Sequence, residues 1–379
     1  MTIEHEADVV VVGAGPGGAT AARVAAQAGA RVVLIDKRVT LGEPVQCAEY
    51  LPLLALPDVP DHRRFVTQRI ESMETFWPDG TSQRVRAPGV ILDRGAFDKG
   101  LSGEAGAAGA TVLTRTVAKE RIADGILARC GSEDVVIRAE VVIGADGVDS
   151  TIASWLGQRN ALIMTAMQHE VVLQEPAKPQ TEVFMGEDYP RGYGWLFPKG
   201  RTANVGVGVL PATAAKDSLA ALMDRLTDAG RIGSVVGTTQ GRIPVNGPLL
   251  TLNGNIALIG DAGGACHPIT GAGIANAMAT GKLIGRHAAQ VAQTGDISYL
   301  DLFESEWRMR FLGPLSYAAA KRAYLNGVWD DCVSDGVAAL TSLTQECWVT
   351  TRAYYDKPAP TEVGAPGAGR SALAGLLGG

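Results

Sequence analysis

Cysteine is scarce in this chain, and so are excess basic charge and long apolar runs. Five cysteines lie scattered through 379 residues, at 47, 130, 266, 332 and 347. Their number is odd, and none stands in a CxxC pair. That argues against a disulfide framework or a zinc site, and fits reduced thiols in a cytoplasm. Acidic residues outnumber lysine and arginine, 40 to 34, for a net charge of −6. A nucleic-acid partner is not expected, because phosphate binding wants a basic surface. No apolar run reaches the roughly eighteen residues of a membrane helix, so no segment is expected to span a bilayer. The opening MTIEHEADVVVVGAG carries acids, and its apolar run soon ends in glycines, unlike a signal peptide.

What the chain does have is core. Apolar residues make up 46% and charged residues 20%, the composition of a globular protein. The length exceeds what one hydrophobic core usually fills, so two domains are expected.

Residues 8–12, Asp-Val-Val-Val-Val, read as a strand buried on both faces of a parallel sheet. Gly13-Ala14-Gly15-Pro16-Gly17-Gly18 follows at once. Then come an alanine-rich helix, a second strand at 31–35 and Asp36. Strand, GxGxxG, helix, strand and acid stand in the order of a dinucleotide site. Gly13 permits the tight turn, Gly15 lets the backbone approach a pyrophosphate, and Gly18 lets helix and strand pack closely. The helix start offers free N–H groups to the phosphates. Asp36 can accept hydrogen bonds from a ribose. This motif alone does not separate NAD from FAD.

Two further strand ends choose between them. Residues 134–143 read as paired strands, and they run into Gly144-Ala145-Asp146-Gly147-Val148-Asp149-Ser150. The strand at 255–259 runs into Gly260-Asp261-Ala262-Gly263-Gly264, then His267-Pro268-Ile269-Thr270-Gly271-Ala272-Gly273-Ile274 and a long helical pattern. Ligands of doubly wound sheets sit at the carboxyl ends of strands. An aspartate there can bond a ribityl hydroxyl, and glycines beside it let the backbone approach a flavin.

These three stretches resemble the FAD fingerprints of glutathione-reductase-type flavoproteins with the p-hydroxybenzoate-hydroxylase fold. Leu92-Asp93-Arg94 and the residues to Leu101 are similar to that family's LxRxxFDxxL helix start, which implies that Arg94 reaches the cofactor. The resemblance implies FAD contacts from Gly13, Gly15, Gly18, Asp36, Arg94, Asp146, Gly147, Asp261, Pro268, Gly271, Gly273 and Ile274, and no metal.

Tyr193, Trp195 and Phe197 alternate along the next apolar stretch, so a strand would face all three the same way. Taken by themselves they are either a pocket wall or ordinary core. Pro198 is expected to end the strand. Gly206 and Gly208 leave room for a close approach on the strand after it. Residues 193–208 match YxWxFPx7GxG, and TGAGIANAMATGKLIG at 270–285 resembles TGGGIxxAMxSGxxxG, both signatures of the geranylgeranyl reductase family. PVQCAEYLP at 44–52 resembles that family's PVRCGEG segment, which comes close to the flavin ring. Cys47 is therefore a buried small side chain, a pocket wall or a proton source, and Glu49 is a second candidate for a direct role near the flavin. Gln46, Ala48 and Tyr50 depart from the family pattern. Tyr50 fills space where a glycine is usual, which bears on how long a prenyl chain is accepted.

The fold expected is α/β: a Rossmann-like FAD-binding domain with an inserted antiparallel sheet domain and a C-terminal helical region. The FAD domain would comprise 1–60, 88–165 and 250–298, and the substrate domain 61–87 and 166–249, with an Asp79-Gly80 turn in a hairpin. Residues 299–356 read as helical, closing the cavity, forming a dimer surface or simply packing. Residues 357–379 read as a disordered tail.

The resemblance implies an FAD-dependent reductase of carbon–carbon double bonds in a hydrophobic, isoprenoid-like substrate, reached by peripheral contact with a membrane. Only one full nucleotide motif is present, so electrons must come from an external donor, NAD(P)H or a reductase protein. The alternative keeps the fold and uses oxygen. It is a flavoprotein monooxygenase hydroxylating an aromatic group, such as a peptide- or protein-bound tryptophan in quinone-cofactor maturation. A non-enzymatic prenyl carrier of the same fold would not need three intact FAD motifs.

Overall fold

The computed structural model describes residues 3–348. The tail expected at 357–379, and the end of the helical region after 348, lie outside the described residues.

A six-stranded sheet forms the base of the site. Its order is Leu252–Asn253, Ile256–Leu258, Val141–Gly144, Val9–Val12, Val32–Ile35 and Thr111–Leu113. All neighbours are parallel except the first pair. Its central strands are valine- and isoleucine-rich and buried along their whole length, as a sheet covered on both faces requires. Each such side chain contributes about 1.5–3 kcal/mol relative to exposure.

Helices α1 (Pro16–Gln27), α2 (Arg94–Ala107) and α3 (Thr151–Trp155) follow strands of this fold. Two small residues per turn let α1 meet the long helix α5 (Ile274–Thr294) at backbone distance. A Cβ placed on Gly281 would lie 2.2 Å from the Gly17 carbonyl oxygen, and one on Gly285 would lie 2.7 Å from that of Ala21. The glycine pair of the TGKLIG stretch is therefore a helix-packing feature.

The stretch 134–143 does form two strands, but they do not pair with each other. Glu133–Arg138 joins Ile3–Glu6, Gly125–Cys130 and Thr116–Ile122 in a small four-stranded sheet, whereas Val141–Gly144 enters the parallel sheet. Local patterning sees both runs and cannot see their remote partners.

An eight-stranded sheet stands over the strand ends. Its order is Ile232–Pro244, Ile163–Leu173, Thr202–Val209, Tyr193–Lys199, Gln180–Phe184, Val66–Phe76, Ser82–Leu92 and Tyr50–Pro52. It is antiparallel except for one parallel pair, Gln180–Phe184 with Val66–Phe76. The hairpin turn lies at Asp79-Gly80, where Gly80 has φ 83° and the Asp79 carboxylate accepts from Thr81 N–H at 2.9 Å. Helix α4 (Ala215–Asp228) covers one face, packing on Val205, Val207 and Leu196. The other face carries Trp195, Phe197, Trp77 and Met185. Pro198 does not end its strand; it still opposes Ala203, and pairing runs on to Lys199.

Three helices follow α5: α6 (Tyr299–Trp307), α7 (Gly313–Ser334) and α8 (Val337–Cys347). Leu300, Phe303 and Trp307 extend the core under α1 and α5. Among the described residues no helix is long and apolar enough to cross a membrane.

Candidate active site

Three glycine motifs and Asp36 arrive at the carboxyl ends of four adjacent parallel strands. Gly13 follows Val12 with φ 104°, and a Cβ there would sit 2.3 Å from the Ala145 carbonyl oxygen. Gly18 is equally constrained, since its Cβ would lie 1.8 Å from the Gly13 carbonyl oxygen. At Gly15 a Cβ would meet nothing within 4 Å, so the start of α1 borders open space. Neither α1 nor α5 has a side-chain cap or an acid in its first turn. By contrast α2 and α3 are capped by Asp93 and Ser150. Two uncapped helix starts beside glycine turns fit a cofactor with a pyrophosphate and an electron-rich ring.

The three motif aspartates are not equivalent. Asp36 is 5% exposed and accepts from Ala14 N–H at 2.7 Å and from Arg38 at 2.8–2.9 Å. Burial opposes its charge, but the Arg38 bonds outweigh that and hold its carboxyl below the usual range. Asp146 is committed to the protein. It accepts from the Ser150 hydroxyl at 2.5 Å and from the Thr151 and Ile152 amides at 2.7 and 3.3 Å. These bonds tie its carboxylate to the start of α3, and Gly147, with φ 85°, shapes the turn. Asp261 is the open one. No described residue offers its carboxylate a hydrogen bond or ion pair; burial pushes it up to about 6, with Arg94 acting the other way. Asn160, which no motif pointed out, ties the two turns together by donating to the Val148 and Asp261 carbonyls, both at 2.9 Å.

Beyond Asp261 the chain turns through Pro268, Gly271 and Gly273 into α5 at Ile274. Gly273 lies beside Asp261 and Cys266: its Cβ would be 3.3 Å from the Asp261 Oδ1 and 3.7 Å from the Cys266 Sγ. Gly271 has φ 66° and lies against Ile243 and the Tyr193 hydroxyl. That hydroxyl donates to the Thr270 carbonyl.

The loop 46–50 lies between the two large sheets and is held by its backbone. Gln46 Nε2 donates to the Gln240 carbonyl, Gln168 Nε2 to that of Cys47, and Asn204 Nδ2 to that of Ala48. Glu49 has φ 72°, the left-handed region, and is 1% exposed. Its carboxylate accepts from Arg94 N–H at 2.9 Å and Asn204 Nδ2 at 2.8 Å, and pairs with Lys199 Nζ at 2.6 Å. A carboxylate with three partners is poorly suited to a direct role as a proton source. It instead fastens the loop to the start of α2 and to the sheet. Cys47 receives the Glu49 N–H on its sulfur at 3.2 Å. Burial pushes its thiol up, while the Arg94 charge pulls the other way. Arg94 itself is clamped by Asp98 in a two-bond pair at 3.0–3.1 Å.

The aromatic wall is longer than the sequence indicated. Ring centroids run Trp348 to Tyr193 at 5.1 Å, Tyr193 to Trp195 at 5.8 Å, Trp195 to Phe197 at 6.4 Å, and Phe197 to Tyr50 at 6.1 Å. Gly206 makes room for the wall itself, since a Cβ there would be 2.5 Å from the Trp195 ring. Gly89 does the same for the Tyr50 ring, also at 2.5 Å. Trp195 Nε1 donates to Gln168 Oε1 at 3.0 Å, which links the wall to the carbonyl of Cys47. At the Trp348 end lies a cavity of about 530 Å³ bordered by Trp77, Gln83 and Gln345.

A doubly wound sheet with these strand-end motifs under a large β-sheet defines an FAD-dependent oxidoreductase. Residues 8–45 match the FAD dependent oxidoreductase family, and residues 163–241 match the geranylgeranyl reductase catalytic domain. The chain is 37% identical over 316 residues to a digeranylgeranylglycerophospholipid reductase of Methanocella arvoryzae, spanning 78% of this chain and 81% of that one. A namesake from Methanothrix thermoacetophila is 36% identical over 324 residues, 79% and 83%. The chain belongs to the geranylgeranyl reductase family. Among solved structures, a geranylgeranyl bacteriochlorophyll reductase-like protein of Thermoplasma acidophilum superposes with a TM-score of 0.78 at 27% identity, covering 91% of this chain and 97% of that one. A flavin-dependent brominase at 18% identity and TM-score 0.68, over 89% and 94%, shares the fold alone.

Proposed function

We propose that this protein reduces carbon–carbon double bonds of an isoprenoid lipid. What carries the reading is the unbroken row of five rings from Trp348 to Tyr50, joined at Trp195 through Gln168 to the Cys47 loop, in a chain of this family. FAD, when bound, would supply the two electrons for the reduction. Gly13, Gly15 and Gly18 would border its pyrophosphate, Asp36 its adenosine ribose, and Asp261 its ribityl hydroxyls. Arg94, Pro268, Gly271, Gly273 and Ile274 would border its ring, with Asp146 and Gly147 shaping the strand end beneath.

Tyr193, Trp195 and Phe197 orient an apolar chain and keep water out. The Cys47 thiol, raised by burial, keeps its proton at neutral pH and stands as the proton source beside the row. Glu49, Lys199 and Gln168 position that loop. The lipid reaches the row from a membrane surface, and an external donor, NAD(P)H or a reductase protein, supplies the electrons.

The test is anaerobic incubation of the chemically reduced holoenzyme with digeranylgeranylglycerophospholipid, read by mass spectrometry. Gain of one H2 per reduced bond is expected, and Cys47→Ala should slow it. No hydrogenation across a panel of prenyl lipids would remove the reading. Oxygen-dependent mass gain on an aromatic or peptide substrate would favour the monooxygenase instead.

A further inference from the structure

Arg322, in the middle of α7, is 2% exposed and makes no ion pair with a described carboxylate. All three of its hydrogen bonds go to backbone carbonyls. Nε donates to Pro268 at 2.8 Å, Nη2 to Ile269 at 3.1 Å, and Nη1 to Arg191 at 2.5 Å. The same peptides are gripped from their other ends. The N–H groups of Ile269 and Thr270 both donate to His267 Nδ1, at 3.3 and 3.2 Å. The next peptide is held by the Tyr193 hydroxyl on the Thr270 carbonyl and by the His267 carbonyl on the Gly271 N–H, at 2.9 Å. Three consecutive peptides are thus fixed at both ends, immediately before α5.

The charges follow from this packing. Burial pulls Arg322 down to about 10, against Tyr193 and Cys347, so it remains a cation at neutral pH. Burial, then Arg322 and Lys321, push His267 down to about 4, which leaves Nδ1 as the acceptor the two amides need. A buried cation without a counter-ion is costly unless oriented dipoles or a ligand compensate it. Carbonyl dipoles do part of that here.

We infer that Arg322 is a positioning residue for the flavin: it fixes peptides 268–271 and places an unpaired positive charge behind them, so that the site holds reduced FAD more tightly than oxidised FAD. FAD, when bound, would take up two electrons and one proton from its external donor on reduction to the anionic hydroquinone, a net gain of one negative charge. A fixed cation in a low-dielectric interior favours that form without reorganising. This rests on the reading that residues 268–274 border the flavin.

The test measures oxidised-FAD affinity and the two-electron midpoint potential of the holoprotein in Arg322→Gln, Arg322→Lys, His267→Gln and Asp261→Asn. Arg322→Gln should lower the affinity for reduced relative to oxidised FAD about tenfold, a fall of about 30 mV for a two-electron couple. Arg322→Lys keeps the charge but not the planar fork, so it should bind FAD severalfold more weakly with the potential nearly restored. His267→Gln should weaken binding without lowering the potential. Equal loss for both FAD forms in Arg322→Gln overturns the inference. If that variant does not fold, a fall of about 30 mV in Arg322→Lys or His267→Gln overturns it. Asp261→Asn separates the layers. Weakened FAD binding there with an unchanged potential in Arg322→Gln sinks only the inference, whereas unchanged binding in every variant sinks the reading beneath it.

Discussion

Lys199 Nζ lies 2.6 Å from the carboxylate of Glu49, a side chain that is 1% exposed. Removing the ammonium leaves a buried carboxylate with hydrogen bonds but no counter-charge. A fully buried broken pair costs about 3–5 kcal/mol. Lys199 is 18% exposed, so Lys199→Met should cost less, about 2 kcal/mol. Urea unfolding measures it. Glu49→Gln keeps an acceptor for Arg94 N–H and should retain measurable turnover. Complete loss of turnover with native flavin absorbance would give Glu49 the role of proton donor.

The contact between α1 and α5 leaves no room for one methyl group at Gly281. Gly281→Ala should therefore push the helices apart, destabilise by about 1–3 kcal/mol and weaken FAD binding through the shifted start of α1. Gly103, in α2, is the control, because a Cβ there meets nothing within 4 Å. Gly103→Ala should stabilise by about 0.5–1 kcal/mol. Equal thermal shifts in the two variants would contradict the packing account.

The pH dependence separates two groups of opposite sign. Burial pushes the Asp261 carboxyl up to about 6 in the folded chain, from 3.8 unfolded. Its burial cost is absent at low pH and grows as pH rises through that window. The FAD-free protein should therefore lose about 2 kcal/mol relative to Asp261→Asn between pH 4 and 6. His267 acts the other way. Its pKa falls from 6.5 to about 4 on folding, so the stability it contributes is present above 6.5 and lost on acidification. Comparison with Asp261→Asn isolates the carboxylate. A flat difference curve across the window would show that folding does not raise the Asp261 carboxyl.

Tyr50 ends the aromatic row on the edge strand Tyr50–Pro52, resting on Gly89 and donating to the Ala87 carbonyl at 3.1 Å. On the lipid-reductase reading, Tyr50→Gly should open that end. The ratio of kcat/KM for long over short prenyl chains should rise severalfold, about 1 kcal/mol of discrimination. An unchanged ratio would place the chain elsewhere.

The cofactor half of this site was legible because its chemistry is local. A strand, a glycine turn and a helix start are contiguous in sequence, and so the motifs at 13–18, 144–150 and 260–274 announce themselves. The alternation of Tyr193, Trp195 and Phe197 was legible for the same reason. The rest depends on partners far apart in the chain. Gln168 reaches Cys47 across 121 residues, Asn204 reaches Glu49 across 155, and Arg322 reaches Pro268 across 54. None of these has a spacing to read. Arg322 and Trp348 lie in the stretch 299–356, which read only as helical, and no local pattern sets either apart. Asp146 and Glu49 also bind amides at helix starts, a tie that no motif displays.

The order of strands in the parallel sheet bears on how the chain is made. Val141–Gly144 has Val9–Val12 on one side and Ile256–Leu258 on the other. During synthesis the first neighbour is available early, but the second emerges more than a hundred residues later. Until then that strand is an open sheet edge, and the pairing that closes it is parallel and distant, hence slow. Ribosome-bound chains stopped before residue 256 are therefore expected to hold chaperones that the completed chain releases.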